Sequence, residues 1–104
     1  MKLVVEKDYY VLKSKLVGVN SGVYFLLDES KGLVKIGYSS NIVNRVNTHL
    51  CSNPYLKYLG VLEAKDKMLE YSLHERYKKY REVREWFKWE GEIRDYVEEL
   101  EKWK

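Results

Sequence analysis

Two β-rich runs, Val23-Tyr24-Phe25-Leu26-Leu27 and Leu33-Val34-Lys35-Ile36-Gly37, flank the polar stretch Asp28-Glu29-Ser30-Lys31-Gly32. Apolar and aromatic runs on either side of a glycine-bearing turn predict an antiparallel hairpin over about residues 22–38. A loop from Glu29 to Gly32 sets Asp28 opposite Leu33, Leu26 opposite Lys35 and Tyr24 opposite Gly37. Because side chains alternate between faces, Val23, Phe25, Leu27, Val34 and Ile36 share an apolar core face. Tyr24, Leu26, Lys35 and Gly37 share the other. A slip of one residue would mix the two sets, so the register is well specified. Tyr24 and Lys35 become diagonal neighbours on the non-core face, a phenol and an ammonium side by side. Gly37, opposite Tyr24, leaves room there for a ligand.

Beyond the hairpin the periodicity changes. Ser39, Ser40 and Asn41 are N-cap types, and Ile42, Val43, Val46 and Leu50 follow at helical spacing up to a stop at Cys51–Pro54. Tyr55–Glu63 reads as a third strand. A longer helix runs from Ala64 or Lys65 to about Tyr80, with Leu69, Leu73 and Tyr80 as its apolar stripe. Glu85–Trp89 reads as a short aromatic strand or turn. A last helix, about residues 91–103, carries Ile93, Tyr96, Val97 and Leu100 in one stripe. Ahead of the hairpin, Leu3–Glu6 or Tyr9–Leu12 can form a strand, and Val17–Ser21 is a connection. This order predicts one α+β domain over residues 1–104 with a small, three-stranded, mainly antiparallel sheet flanked by helices.

Composition narrows the setting. The chain has 104 residues, 45% of them hydrophobic, which suits a single domain with a modest core. Neither a membrane-length apolar run nor a leader pattern is present, so a cytoplasmic, reducing setting is expected, the host cytoplasm if the protein is viral. A single cysteine, Cys51, forms no internal disulfide, and with two histidines it makes a structural zinc site improbable. A Lys/Glu-rich chain without glutamine weakly resembles proteins of hot environments, archaeal ones included. The formal net charge of +3 only hints at a polyanionic partner. Its distribution says more: a basic segment holding Arg76, Lys79 and Arg81 precedes a largely acidic final helix.

Candidate chemistry follows from the same placement. Arg45 falls off the centre of the first helix's apolar stripe, where a guanidinium can hold a phosphate bidentately or simply face solvent. Glu70 and His74 lie one turn apart on the flank of the longer helix. They are either a supporting i,i+4 pair or the carboxylate of a divalent-metal site, since Mg²⁺ takes one or two protein carboxylates and fills its shell with water and phosphate. Ser39 either caps its helix or meets a phosphate there, and Tyr38 either contacts a nucleic-acid backbone or packs. Cys51 has no basic partner beyond His49, which argues against a nucleophilic thiol. Trp86, Phe87 and Trp89 read as packing groups rather than base-stacking platforms.

Gly22-Val23-Tyr24, Lys35-Ile36-Gly37, Arg45, Glu70 with His74, Arg81 and Glu85-Trp86-Phe87, in that order, resemble the GIY-YIG nuclease superfamily, closest to its small phage-type branch with K-I-G as second motif. The resemblance spans residues 22–87 and implies metal-dependent hydrolysis of DNA phosphodiesters with Mg²⁺ or Mn²⁺ and no small-molecule cofactor. It implies that Tyr24 acts as general base or orients the attacking water, that Arg45 steadies the scissile phosphate and that Glu70 ligates the metal. His74 accompanies them, and Tyr38, Ser39, Arg76, Lys79 and Arg81 are the expected nucleic-acid contacts. Lys35 departs from the pattern, because the superfamily usually has a second tyrosine there. Its ammonium would clamp phosphate, favour the Tyr24 phenolate, or both. DNA is the expected partner, as substrate or as the ligand of an inactive binding module, with a homodimer left open.

Overall fold

A computed structural model describes the backbone of residues 3–4 and 18–101 and the side chains of residues 18–100. Its strands are β1 (Leu3–Val4), β2 (Gly22–Asp28), β3 (Leu33–Ser39), β4 (Lys57–Glu63), β5 (Arg81–Val83) and β6 (Trp86–Lys88). Its α-helices are α1 (Ile42–Ser52), α2 (Met68–Arg76) and α3 (Gly91–Glu101), with a 3₁₀ turn at Lys78–Tyr80. The strands form one open antiparallel sheet in the order β1-β4-β2-β3-β6-β5.

The α+β class therefore stands, but the sheet is larger than the three strands expected. Five strands come from residues 22–88, and the two-residue β1 extends the β4 edge. The extra pair is the β5–β6 hairpin. Arg81-Glu82-Val83 carries no apolar run to mark it as a strand and is exposed throughout, so pairing with β6 forms it rather than propensity. The Tyr9–Leu12 segment lies outside the described residues.

The β2–β3 register is the expected one, with Asp28 opposite Leu33, Leu26 opposite Lys35 and Tyr24 opposite Gly37. Local chemistry fixes the turn. The Asp28 carboxylate accepts the Ser30 hydroxyl at 2.6 Å and the Lys31 N–H at 3.3 Å, and the first of these holds its carboxyl below the usual range. Gly32 takes φ +63, which a residue without Cβ adopts freely. At the other end, a Cβ on Gly22 would lie 2.6 Å from the Leu62 carbonyl oxygen, so that glycine serves the close approach of β4.

The face of Tyr24 and Leu26, expected to lie outside the core, is a second core. All seven residues of β2 are buried. Tyr24, Leu26, Tyr58 and Val61 pack under α1 with Ile42 and Val46. Val23, Phe25, Val34, Ile36, Leu62 and Phe87 pack on the opposite face with Leu73 and Tyr77 from the α2 region and Ile93 and Val97 from α3. The near-continuous apolar run Val23–Leu27 is that of a strand covered on both sides. Between Phe25 opposite Gly60 and Leu26 opposite Tyr58, β4 carries one extra residue, Leu59. That bulge lets Tyr58 and Val61 reach one core while Leu59 and Leu62 reach the other, which unbroken alternation forbids.

The longer helix begins and ends inside its expected range. The Asp66 carboxylate takes the Met68 N–H at 2.9 Å, which starts α2 there, and the chain tightens into the 3₁₀ turn after Tyr77. No helix among the described residues is long and apolar enough to cross a membrane.

Candidate functional site

Tyr24 is 3% exposed, and its ring lies over the backbone of Gly37 on the neighbouring strand. A Cβ at Gly37 would overlap the Tyr24 Cζ and Oη. The space that a missing side chain leaves at Gly37 is thus taken by the Tyr24 ring rather than kept for a ligand. The glycine leaves the space above β3 in which the phenol hydroxyl sits.

That hydroxyl meets His49 of α1, with Oη 3.0 Å from Nε2 and the rings tilted at 5.4 Å between centroids. Burial, with the Glu85 and Glu70 charges adding to it against Arg45, pushes the phenol well above its ordinary value, so Tyr24 keeps its proton. Burial and the Lys35 and Arg45 charges hold the His49 imidazole below its ordinary value, so it is neutral near pH 7. A protonated phenol beside a neutral imidazole is a pair through which a proton can pass. Nε2 can take it when Nδ1 carries the ring proton.

Lys35 does not favour the phenolate as expected. Its ammonium is 3.4 Å from the Glu85 carboxylate and 5.3 Å from the Trp86 ring centroid. Glu85 stands at the β5–β6 turn, where its carbonyl accepts the Ile36 N–H at 3.0 Å. It offsets the cation it binds and outweighs its effect at Tyr24. Arg45 lies one turn before His49 on α1, exposed, with no ion pair among the described residues, and its charge acts on both Tyr24 and His49.

Glu70 arrives from the opposite side of the sheet. Strand β6 pairs with β3 only from Leu33 to Lys35, which leaves the β3 edge beyond Ile36 open, and α2 brings Glu70 to that edge. The residue is 8% exposed, and its carboxylate has no hydrogen bond or ion pair among the described residues. No side-chain oxygen among the described residues is shut off from solvent without a partner, so the carboxylate oxygens are open to it. No three His, Cys, Asp or Glu side chains gather into a metal-binding group among the described residues. A single carboxylate can be one of the few protein ligands that Mg²⁺ or Mn²⁺ takes, and it does not make the four-ligand shell of zinc.

His74 stands apart from the phenol. Its Nε2 is 2.8 Å from the Ile36 carbonyl and its ring 5.0 Å from Phe87. A carbonyl only accepts, so Nε2 donates. The contact caps the open β3 edge and pins α2 one turn after Glu70, a positioning role for the carboxylate. Tyr38 donates its hydroxyl to the Lys65 carbonyl at 3.1 Å, and Ser39 is buried with its hydroxyl accepting the Asn41 N–H at 2.9 Å. Arg76 stacks on Tyr77 and Tyr96, Lys79 pairs with Glu92, and Arg81 donates to the Arg84 carbonyl, all away from the phenol.

The structure thus brings Tyr24, Lys35, Arg45 and Glu70 together and adds His49 and Glu85, to which the sequence reading gives no role at the site. The clue to His49 is its spacing from Arg45, one turn along the same helix. A measurable consequence follows for pH. If His49 accepts the proton, the acid limb of activity falls below the ordinary histidine value. The surrounding charges are Lys35 on β3, Arg45 on α1, Glu70 on α2 and Glu85 on the β5–β6 turn. Glu85 favours the imidazolium, so Glu85→Gln is expected to move that limb further toward acid in a pH–rate profile. A limb that stays put or moves toward base would remove Glu85 and His49 from this coupling.

Residues 21–104 match the family model of the T5orf172 domain. No curated protein and no solved structure matches the chain. The match overturns the family expected from the triplets, since it is to the T5orf172 domain and not to a GIY-YIG family. Short triplets on a hairpin reflect what the hairpin itself demands, a glycine for close strand approach and alternating apolar positions, and such demands do not separate families.

Proposed function

The chain belongs to the T5orf172 domain family, and from that premise we propose that it is a metal-dependent endonuclease that hydrolyses DNA backbone phosphodiesters. One observation carries the reading: the Tyr24 phenol meets the His49 imidazole, and the unpaired Arg45 guanidinium and the Glu70 carboxylate both lie close enough to act on it by their charge. Each supplies a distinct need of phosphodiester hydrolysis.

Arg45 binds the scissile phosphate through its two-pronged guanidinium. Tyr24, which keeps its proton, orients the attacking water and accepts that water's proton as it passes its own to His49. Neutral His49 is the base at the end of this two-step transfer. Lys35, held by Glu85, is the second cation available to charge developing on the phosphate. Glu70 is the residue that would hold Mg²⁺ or Mn²⁺. What a bound cation supplies there is Lewis-acid polarisation of the phosphate and stabilisation of the leaving oxygen. His74 keeps α2, and so Glu70, against β3. A cytoplasmic setting goes with this reading, and the exposed free thiol of Cys51 is compatible with it.

The test is nicking of supercoiled plasmid. Conversion to open-circle or linear DNA with MgCl₂ or MnCl₂, abolished by EDTA, is expected. Tyr24→Phe, which keeps the ring and removes the hydroxyl, is expected to cut the rate about 10²-fold. Wild-type protein that binds DNA in a salt-sensitive way but leaves it uncut with every divalent ion would replace this reading with that of an inert DNA-binding module.

A further inference from the structure

The basic segment at Arg76–Arg81 is the obvious electrostatic footprint in the sequence, but the fold spends its cations internally. Arg76 lies 5.2 Å from the Tyr77 ring centroid and 5.4 Å from that of Tyr96. Lys78 pairs with Glu75 at 2.9 Å, and Lys79 with Glu92 at 3.3 Å. Arg81 donates its Nε–H to the Arg84 carbonyl at 2.6 Å. The acidic first turn of α3 and the rings beneath it neutralise this face.

A different set of cations is exposed with no side-chain hydrogen bond or ion pair among the described residues: Arg45, Lys65, Lys67 and Arg84. They come from three separate parts of the fold, each tied to β3 or to the phenol that lies over it. Arg45 is on α1, beside Tyr24 and His49. Lys65 and Lys67 are on the loop between β4 and α2, where the Lys65 carbonyl holds the Tyr38 hydroxyl and Lys67 directly precedes the helix that carries Glu70. Arg84 is at the β5–β6 turn, adjacent to Glu85. Its backbone takes φ +50, among described residues the one non-glycine in the left-handed region. Glycine or asparagine holds that conformation more cheaply, and a strained residue next to a site residue points to a use for its side chain. The neighbouring carboxylates are largely engaged: Asp66 caps the Met68 N–H, and Glu85 holds Lys35, while Glu63 at the end of β4 stays exposed and trims the field. By contrast Lys31 and Lys88 line a cleft at the far end of β3 with Glu82 and Glu90, where the signs balance.

We propose that Arg45, Lys65, Lys67 and Arg84 form the track on which duplex DNA lies, its phosphate backbone crossing the open edge of β3 with the scissile phosphate at Tyr24. The inference rests on the site being one that cleaves DNA, and it names the surface that presents the substrate. A duplex fits better than a single strand. Single-strand tracks interleave cations with several exposed stacking rings, whereas the exposed aromatic residues among those described are Tyr55, after α1, and Tyr71, on α2. Point charges on separate elements suit a rigid backbone.

Binding of the full chain to a short fluorescent duplex is measured in EDTA, so that cleavage plays no part, across a salt series. Each phosphate contact contributes about 0.9 to the slope of log affinity against log salt. The variant Lys65→Ala/Lys67→Ala/Arg84→Asn, with asparagine chosen because it tolerates the left-handed backbone, is expected to lose a slope of about 2.7 and most of its affinity at moderate salt. Lys78→Ala/Lys79→Ala is expected to keep the wild-type slope. The track is overturned by a triple variant that keeps the wild-type slope, by a slope that falls in the Lys78/Lys79 variant instead, or by tighter binding of an equal-length single strand. Since no cleavage is measured, failure here is separate from failure to nick plasmid.

Discussion

Replacing Glu70 with glutamine is expected to lower the nicking rate about 10²- to 10³-fold. The residue is 8% exposed and its carboxylate has no hydrogen bond or ion pair among the described residues. No side-chain oxygen among them is shut away from solvent without a partner, so the carboxylate oxygens stay within reach of a cation. Glutamine keeps the shape and removes the charge that a cation needs. Magnesium provides a readout independent of turnover. A ligand bound only by the native state raises its stability in proportion to the logarithm of ligand concentration over Kd. Wild-type protein is therefore expected to melt higher as MgCl₂ or MnCl₂ is added, and Glu70→Gln is expected not to respond. A Glu70→Gln protein that nicks at the wild-type rate, or that still responds to the metal, would remove Glu70 from that role.

The route of Glu70 into the site explains why sequence reaches some of this arrangement and not all. The hairpin is legible because alternation and turn chemistry agree. Val23, Phe25, Leu27, Val34 and Ile36 fall on one face in one register only, and Asp28, Ser30 and Gly32 close the turn. Glu70 and Arg45 are legible as polar residues at the flanks of apolar helical stripes. What covers the other face of β2 is not, because α1 packs there through long-range contacts that leave no local period. Tyr24 and Leu26 therefore read as exposed when they are core.

The same limit hides what His49 and Glu85 do. Each matters through a partner far along the chain: His49 through Tyr24, and Glu85 through Lys35. Glu85 reaches Lys35 only because Arg81–Lys88 folds into a hairpin on the β3 edge, and Arg81-Glu82-Val83 gives no strand signal of its own. The consequence is chemical as well as structural. An ammonium read beside a phenol suggests a phenolate. With a carboxylate on that ammonium and the ring buried, the phenol holds its proton, and a neutral histidine becomes the group that can take it.

Gly37→Ala is expected to abolish nicking and to destabilise the fold by about 1–3 kcal/mol, although one methyl group is all that is added. That methyl would overlap the Tyr24 Cζ and Oη. The ring cannot step aside within its core of Leu26, Ile42, Val46 and Val61, so either β3 shifts or the hydroxyl leaves His49. Tyr24→Phe separates the two consequences. It removes the proton-sharing hydroxyl but leaves the packing, and it is expected to melt near wild type. In the Gly37→Ala background Tyr24→Phe brings little relief, because Cζ remains in the way, whereas Tyr24→Ala removes the obstacle. A double-mutant cycle between Gly37→Ala and Tyr24→Ala is therefore expected to show a coupling of about 1–3 kcal/mol in stability, with the double variant more stable than additivity predicts and still inactive. Additive stabilities, or an alanine variant that nicks normally, would mean that Gly37 is not what makes room for the phenol above the strand.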